Sequence, residues 1–154
     1  MTDFMTEAIE LSQYALDHDA GGPFGAVVVK DNQVIGRGYN QVTSKNDPTA
    51  HAEIVAIREA CKHTSQFKLE GSVLYSSCEP CPMCLSAAYW ARIETVVYAN
   101  SRGDAAAVGF DDNLFYREMA IPMNKRSIKM EHSPNNQAKI VFDNWRNKEN
   151  KIRY

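Results

Sequence analysis

Apolar residues recur at helical spacing near the start of the chain and cluster as in strands soon afterwards. Phe4, Ala8, Leu11 and Ala15 predict an amphipathic helix from Thr2 to His18. The turn signal Gly21-Gly22-Pro23 ends this helix, and the valine-rich run 24–30 predicts a buried strand. Asp31-Asn32 marks a turn into a second strand over 34–39, so the two strands are expected to form a hairpin.

The rest of the chain alternates short apolar runs with helical patterns. In chain order these predict a polar loop over 40–49, a helix over 50–63, a strand over 72–76, a helix over 81–90 and a strand over 95–99. A loop over 103–112 and a short helix over 113–119 follow. An irregular stretch with a strand over 127–130 then leads to a helix over 134–147. This alternation predicts βαβ units and a mixed sheet.

Composition is ordinary for a globular protein, with 44% hydrophobic and 23% charged residues among 154. This length predicts one domain with a real core. No run of 18 apolar residues occurs, and Met1 to Phe4 lack the features of a signal peptide. Four cysteines near a histidine then favour metal binding in a reducing cytoplasm over disulfides. We therefore expect a cytoplasmic protein.

Charge is unevenly distributed along the chain. Residues 117–154 carry 9 Lys/Arg against 4 Asp/Glu, whereas residues 1–116 carry 8 against 15. A basic C-terminal region could bind RNA, or it could dock on the acidic body of its own or a partner chain. Its basic residues are dispersed, which favours docking. The acidic body also argues against a polyanionic substrate.

Two short segments carry the candidate chemistry: His51-x-Glu53, and Cys81-x-x-Cys84 about thirty residues later. Imidazole and thiolate are preferred Zn²⁺ ligands. Pro82 and the i, i+3 spacing of the cysteines predict that Cys81 opens a helix with both thiols on one face. Thr49, after Pro48, is the expected N-cap of the His51 helix. Three protein ligands would leave a fourth position for water, as in catalytic zinc sites.

Two residues near the ligands have more than one interpretation. Glu53 could move protons between a zinc-bound water and a substrate, or it could merely complement the positive end of its helix. Cys78 could be a fourth ligand and make a closed structural site. Cys78 precedes Pro80 in a segment expected to be extended, so burial is favoured for it and for Cys61.

Several segments together resemble the cytidine deaminase superfamily, and more closely the bacterial guanine deaminases, over nearly the whole chain. The matching segments are Gly21 to Ala26, Asn46 to Glu53, Ser77 to Cys84, Tyr89 to Arg92, Gly109 to Asp112, and Trp145-Arg146 with the final tyrosine. The resemblance implies an α/β fold, a three-layer α/β/α sandwich with a mixed five-stranded sheet. It also implies a homodimer of single zinc deaminase domains (1–154) that exchange their C-terminal segments (120–154).

The resemblance also assigns roles to individual residues. His51, Cys81 and Cys84 would hold one zinc ion per subunit, with a bound water or hydroxide, and Glu53 would shuttle protons. Asn40 would form a hydrogen bond with the purine, and Phe24 with Trp90 would form an apolar wall for the base. Asp112 would contact the departing amino group, and Tyr154 would enter the partner's pocket. Each of these residues also has a structural alternative. Asn40 could be a turn residue, and Phe24 and Trp90 could be plain core. Asp112 could cap the following helix, and Tyr154 could be a frayed terminus.

The implied reaction is zinc-dependent hydrolysis of guanine to xanthine and ammonia, in purine catabolism or salvage. The substrate would be a small nucleobase, and neither a nucleic acid nor a membrane is expected as a partner. One alternative keeps the chemistry on another base: adenosine in transfer RNA, cytosine or an aminated triazine. Another alternative is a non-catalytic zinc module that binds RNA through the basic C-terminal region, with Cys78 as fourth ligand.

Overall fold

A computed structural model describes residues 3–154. The predicted start of the first helix at Thr2 lies outside these residues. The chain divides into two compact units, the first ending at Asn113 and the second covering Leu114–Tyr154. None of the helices in the described part of the chain is long and apolar enough to cross a membrane.

The first unit contains most of the regular structure. Its elements are α1 (Phe4–Asp17), β1 (Gly25–Lys30), β2 (Gln33–Tyr39), α2 (Val42–Lys45), α3 (Ala52–Thr64), β3 (Ser72–Cys78), α4 (Pro82–Trp90), β4 (Thr95–Asn100) and α5 (Arg102–Ala107). The Asp3 carboxylate accepts a hydrogen bond from the Met5 N–H and thereby caps α1. Helix α6 (Asn113–Ala120) begins at the boundary between the units. The second unit also holds a 3₁₀ turn (Met123–Lys125) and α7 (Asn136–Asn147).

The sheet is mixed, as the sequence predicts, and has the order β2-β1-β3-β4. β1 pairs with β2 and with β3 in antiparallel fashion, whereas β3 and β4 are parallel. The connection between the parallel strands runs through α4, which makes a βαβ unit. The described residues form four strands, so the expected fifth strand is not formed.

Helices α1 and α3 cover opposite faces of the sheet. A side chain at Gly25 would meet backbone atoms of Ala8 and Ser12 in α1. Gly38 pairs with Ala26, the residue after Gly25, so it faces the other side. A side chain at Gly38 would meet backbone atoms of α3. The three layers are therefore α1, the sheet, and α3 with α4, which confirms the predicted α/β/α sandwich.

The main core lies between the sheet and the α3–α4 layer. Its buried members are small or aliphatic: Ala26, Val28, Ala52, Ala56, Ile57, Ala60, Leu69, Leu74, Ala88 and Ala91. The three alanines of α3 face β2, where a side chain at Gly36 would overlap the backbone of that helix. Small residues on both sides bring the helix close to the strand, which fixes the height of its N-terminal end above the sheet.

Two local predictions are wrong. Residues 103–107, part of the predicted loop 103–112, belong to α5, because Ser101 and Asp104 cap its first turn reciprocally with bonds of 3.2 and 2.8 Å. The predicted strand over 127–130 has no strand structure. Both the N–H and the hydroxyl of Ser127 donate to the Glu118 carboxylate, which satisfies them within the second unit.

Candidate active site

Two helix N-termini carry the predicted ligands. His51 is the N-cap of α3, and Cys81 is the N-cap of α4, with Pro82 at the first helical position. The predicted N-cap, Thr49, instead donates its N–H to the Asp47 carboxylate in the preceding turn. Both ligands are thus held just outside helices, at ends that carry partial positive charge and favour thiolate.

The donor atoms of His51, Cys81 and Cys84 all lie within 4.8 Å of one another. Nδ1 of His51 is 3.6 Å from Sγ of Cys81 and 3.4 Å from Sγ of Cys84. A tetrahedral zinc ion with ordinary bond lengths separates nitrogen and sulfur ligands by about 3.6 Å. The spacing and the donor types therefore fit one zinc ion with three protein ligands.

The surroundings shift the pKa values of the two thiols in opposite directions. The Cys84 thiol donates towards Cys81 and, with nearby His51, lowers the pKa of Cys81 to about 4. The same hydrogen bond, together with burial, raises the pKa of Cys84. The interaction with Cys81 also raises the pKa of His51. A bound cation would replace these protons, since zinc takes thiolate and neutral imidazole as ligands.

Cys78 lies outside this group of donor atoms. It is buried at the end of β3, and its thiol donates to the Ser101 carbonyl oxygen at 3.6 Å. Burial raises its pKa to about 11, so the thiol stays protonated at neutral pH. Because its thiol is directed to Ser101 and lies outside the three grouped donor atoms, the three-ligand arrangement is favoured over the closed four-ligand site. Cys61 is half-buried against the main core.

Glu53 is buried in the first turn of α3 with a 6% exposed side chain. Its carboxylate interacts with Cys84, and burial raises the pKa of Glu53 above its ordinary value. Oε1 accepts a hydrogen bond of 3.0 Å from the hydroxyl of Ser76 in β3. A carboxylate that only complemented the helix end would be expected in solvent, so its burial favours a role in chemistry.

The sequence did not indicate Ser76, although a serine among the buried positions of a short strand was a signal that could have been used. Ser76 pairs with Ala26 and therefore faces the α3 layer. The next serine, Ser77, faces the other way and accepts from the N–H of Gly25 at 3.0 Å. The two hydroxyls thus serve different partners on opposite sides of the sheet.

Asn40 is buried at the end of β2. Its Oδ1 atom accepts from the N–H of Val42 at 3.0 Å, and its backbone N–H donates to Phe24. A side chain on Gly21 would overlap this amide oxygen. The turn interpretation of Asn40 is therefore correct for its oxygen, and this bond holds the amide plane in place.

Phe24 is half-buried and meets the ring of Phe110 edge to face, with centroids 5.0 Å apart at 85°. A side chain on Gly22 would touch both rings. The sequence included Phe110 in a matching segment but gave it no role. The pair joins the start of β1 to the segment that leads to Asp112 and forms an apolar surface of the first unit.

The other predicted residues are less enclosed. Asp112 is half-buried, and burial raises its pKa, with Cys81 and Glu79 among the nearby negative groups. Trp90 ends α4 and is 62% exposed, so it is not plain core. Tyr154 belongs to the second unit and is 71% exposed in the single chain. The roles of these three side chains remain predictions.

Comparison with known proteins gives a consistent result. Residues 1–100 match the family described as the cytidine and deoxycytidylate deaminase zinc-binding region. Guanine deaminase of Bacillus subtilis is 47% identical over 151 residues, which cover 98% of this chain and 97% of that protein. The X-ray structure of guanine deaminase from Bacillus subtilis superimposes with a TM-score of 0.96 and 46% identity, covering 100% of this chain and 99% of that one.

A second group of relatives acts on transfer RNA by name. The tRNA-specific adenosine deaminase of Buchnera aphidicola is 35% identical over 145 residues, covering 94% of this chain and 93% of that protein.

Proposed function

The chain belongs to the cytidine and deoxycytidylate deaminase zinc-binding family, and on this premise we propose that it converts guanine and water to xanthine and ammonia. The observation that carries this proposal is the buried Glu53 carboxylate beside three donor atoms spaced for zinc. The substrate follows from 47% identity to a guanine deaminase over nearly the whole chain. The enzyme is a hydrolase, and its cofactor is zinc.

His51, Cys81 and Cys84 hold the metal. When bound, zinc acts as a Lewis acid that lowers the pKa of a water molecule to about 7 and makes it nucleophilic at neutral pH. Glu53 interacts with Cys84, so its carboxylate is adjacent to that site. A carboxylate there can accept the proton that the attacking water loses.

Glu53 must also return a proton during the reaction. As the C2–oxygen bond forms and the C2–nitrogen bond breaks, the departing amino group must gain a proton to leave as ammonia. Glu53 delivers the proton it has accepted, and Asp112 contacts the amino group and assists. Asp112 is half-buried, and burial raises the pKa of its carboxyl group, which is the direction that favours proton donation.

Asn40, Phe24 and Trp90 recognise the base in this proposal. Asn40 is held by its bond to Val42 and directs its amide N–H groups to acceptor atoms of the purine. Phe24, in edge-to-face contact with Phe110, supplies a flat apolar surface for the ring system. We assign Trp90 to the same apolar wall. A site that bonds the substrate's polar edges discriminates strongly against analogues without them.

The main competing substrate is adenosine in transfer RNA, because a tRNA-specific adenosine deaminase matches 94% of the chain at 35% identity. Two observations favour the free base. Identity to guanine deaminase is higher over a similar length, and residues 1–116 carry 8 basic against 15 acidic side chains, whereas RNA-binding surfaces are basic.

Assembly as a homodimer with an exchanged C-terminal segment belongs to the same proposal. Helix α7 exposes Ile140, Val141, Phe142 and Trp145, an apolar set that needs a cover. In the single chain, Val97 and Tyr98 of edge strand β4 are exposed too. The basic region 117–154 and the acidic region 1–116 have complementary charge for docking. We place this dimer in the cytoplasm, where thiol ligands stay reduced.

Ammonia release tests the substrate directly. The panel contains guanine, guanosine, adenine, cytosine, cytidine, an aminated triazine and a transfer-RNA anticodon loop. We expect release from guanine and at most about a hundredth of that rate from the others. Release from RNA alone would keep the roles of Glu53 and the zinc ligands but refute the free-base substrate.

X-ray absorption spectroscopy tests the metal site. Two sulfur neighbours and light N/O scatterers around zinc are expected. Three sulfurs would make Cys78 a ligand and favour a non-catalytic module.

Light scattering at several concentrations tests the dimer, with a chain that ends before α7 as the comparison. Equal monomeric masses for both chains would refute the exchange.

A further inference from the structure

Ser76 is the one buried hydroxyl that contacts the proposed proton carrier among the hydrogen bonds of the described residues. Its Oγ atom lies 3.0 Å from Oε1 of Glu53, and its side chain is 1% exposed. The hydroxyl can donate to one carboxylate oxygen only, which leaves the other free to turn towards the metal site. A carboxylate without such a partner could rotate about its terminal torsion, which is broad and soft.

The strand register explains why Ser76 can reach this position. Antiparallel pairing places Ser76 opposite Ala26, on the face of the sheet that α3 covers. Glu53 lies in the first turn of that helix, whose height above the sheet is fixed by the close approach to β2. Strand and helix are both rigid elements, so the contact joins two fixed points and not two loops.

We propose that Ser76 is a positioning residue for deamination: its hydrogen bond to Oε1 holds the Glu53 carboxylate in the orientation needed for proton transfer. This inference rests on the proposed function of Glu53. The Ser76 hydroxyl is bonded to Glu53, and we assign Ser76 no contact with the substrate. Its effect is therefore on turnover and not on substrate affinity, because the orientation of Glu53 matters when protons move.

The first experiment compares zinc-loaded Ser76→Ala with the wild-type enzyme. We expect kcat for guanine to fall about tenfold to thirtyfold, as for loss of a hydrogen bond to a charged group, with KM changed less than about twofold. Ser76→Thr keeps a hydroxyl at a strand position that suits a β-branched residue, and it should restore at least about half of kcat. Equal kcat for wild type and Ser76→Ala would overturn the inference.

The same strand offers a matched control. Ser72 is also a fully buried serine, four positions earlier and on the same face as Ser76. Within the described part of the chain, its hydroxyl is a buried side-chain atom without a hydrogen-bond partner. Ser72→Ala should therefore leave kcat unchanged and keep or raise the melting temperature. A loss at Ser72 equal to that at Ser76 would show that any buried hydroxyl matters, and would refute a specific role.

A double-mutant cycle separates positioning from general packing. If Ser76 acts through Glu53, Ser76→Ala should lower the residual kcat of Glu53→Gln by less than about twofold. A full tenfold loss in that background would mean that Ser76 acts by another route. The residual activity of Glu53→Gln is then measured with concentrated enzyme.

A crystal structure of zinc-loaded Ser76→Ala gives a readout independent of turnover. We expect a rotated Glu53 carboxylate with zinc still bound; an unmoved carboxylate would overturn the inference. If the wild-type enzyme releases no ammonia from guanine, the proposed function fails. The carboxylate orientation still tests the Ser76 contact in that case, so the two failures are distinguishable.

Discussion

The Sγ atom of Cys84 lies 3.4 Å from Nδ1 of His51, although 33 positions separate the two residues in the chain. The distance is set by two helix N-termini meeting above one sheet, since His51 caps α3 and Cys84 lies in the first turn of α4. A shift of either helix by a single turn, about 5.4 Å, would separate these donor atoms beyond the span of one zinc ion.

Replacing Cys84 by alanine should abolish zinc binding. Zinc content measured by elemental analysis should fall from about one ion per chain to near zero, because two ligands rarely hold structural or catalytic zinc. At a free zinc level about a thousand times the dissociation constant, loss of the ion lowers the free energy of unfolding by about 4 kcal/mol. Cys61→Ala on α3 is the control and should keep both values; full zinc occupancy in Cys84→Ala would contradict the ligand assignment.

Glu53→Gln should remove turnover without removing the metal. An amide cannot accept the proton of the attacking water, so kcat should fall by about 10²–10⁴ while zinc content stays near one per chain. Initial rates of ammonia release and elemental analysis check this. Glu59→Gln, on the same helix, is the control, since Glu59 bonds the Arg37 N–H instead. Near-normal turnover in Glu53→Gln would refute its role.

Gly21→Ala should act on Asn40. The new methyl group would overlap the amide oxygen, so Asn40 must turn or its strand must shift. We expect the free energy of unfolding to fall by about 1–3 kcal/mol and kcat/KM for guanine by at least about tenfold, with zinc retained. In contrast, a methyl group on Gly103 in α5 would lie 3.5 Å from the hydroxyl oxygen of Ser101, which is an ordinary contact distance. Gly103→Ala should leave kcat/KM unchanged.

Removal of Arg153 and Tyr154 tests the proposed closing of the partner's pocket. If Tyr154 covers the bound base, the shortened enzyme should lose at least about tenfold in kcat/KM for guanine, because water is no longer excluded. Its mass in light scattering should stay dimeric, since α7 is intact. If the hydroxyl contributes, the kcat/KM of Tyr154→Phe for guanine should lie between those of the full-length and the shortened enzyme. Unchanged turnover would remove the lid role from the proposal.

Patterns local in sequence predicted most of the fold. The hairpin of β1 and β2, the helix that follows His51 and the start of α4 at Pro82 each have short-range signals, and the structure has all three within a few residues of the predicted bounds. Helix α5 was missed because glycine and small residues at 103–107 resemble a loop. The reciprocal bonds of Ser101 and Asp104 outweigh that composition.

The part of the site that could be predicted is the part in which residue type and sequence spacing indicate the chemistry. His51, Cys81 and Cys84 could be found because zinc accepts few residue types. Ser76 could not be assigned a partner, since its contact with Glu53 depends on which face of β3 meets α3, and that is decided by the register with β1. The brace between Phe24 and Phe110 likewise joins segments that no local pattern connects.

Gly36 and Gly38 bear no functional group, yet a side chain at either would collide with the backbone of α3. In a library that samples every substitution under selection for growth on guanine as nitrogen source, both positions should be as intolerant as the metal ligands. The profile of inactive variants would therefore extend to the outer strand β2. Such a map, interpreted without coordinates, would mark two glycines as catalytic when they only set the distance between a helix and a strand.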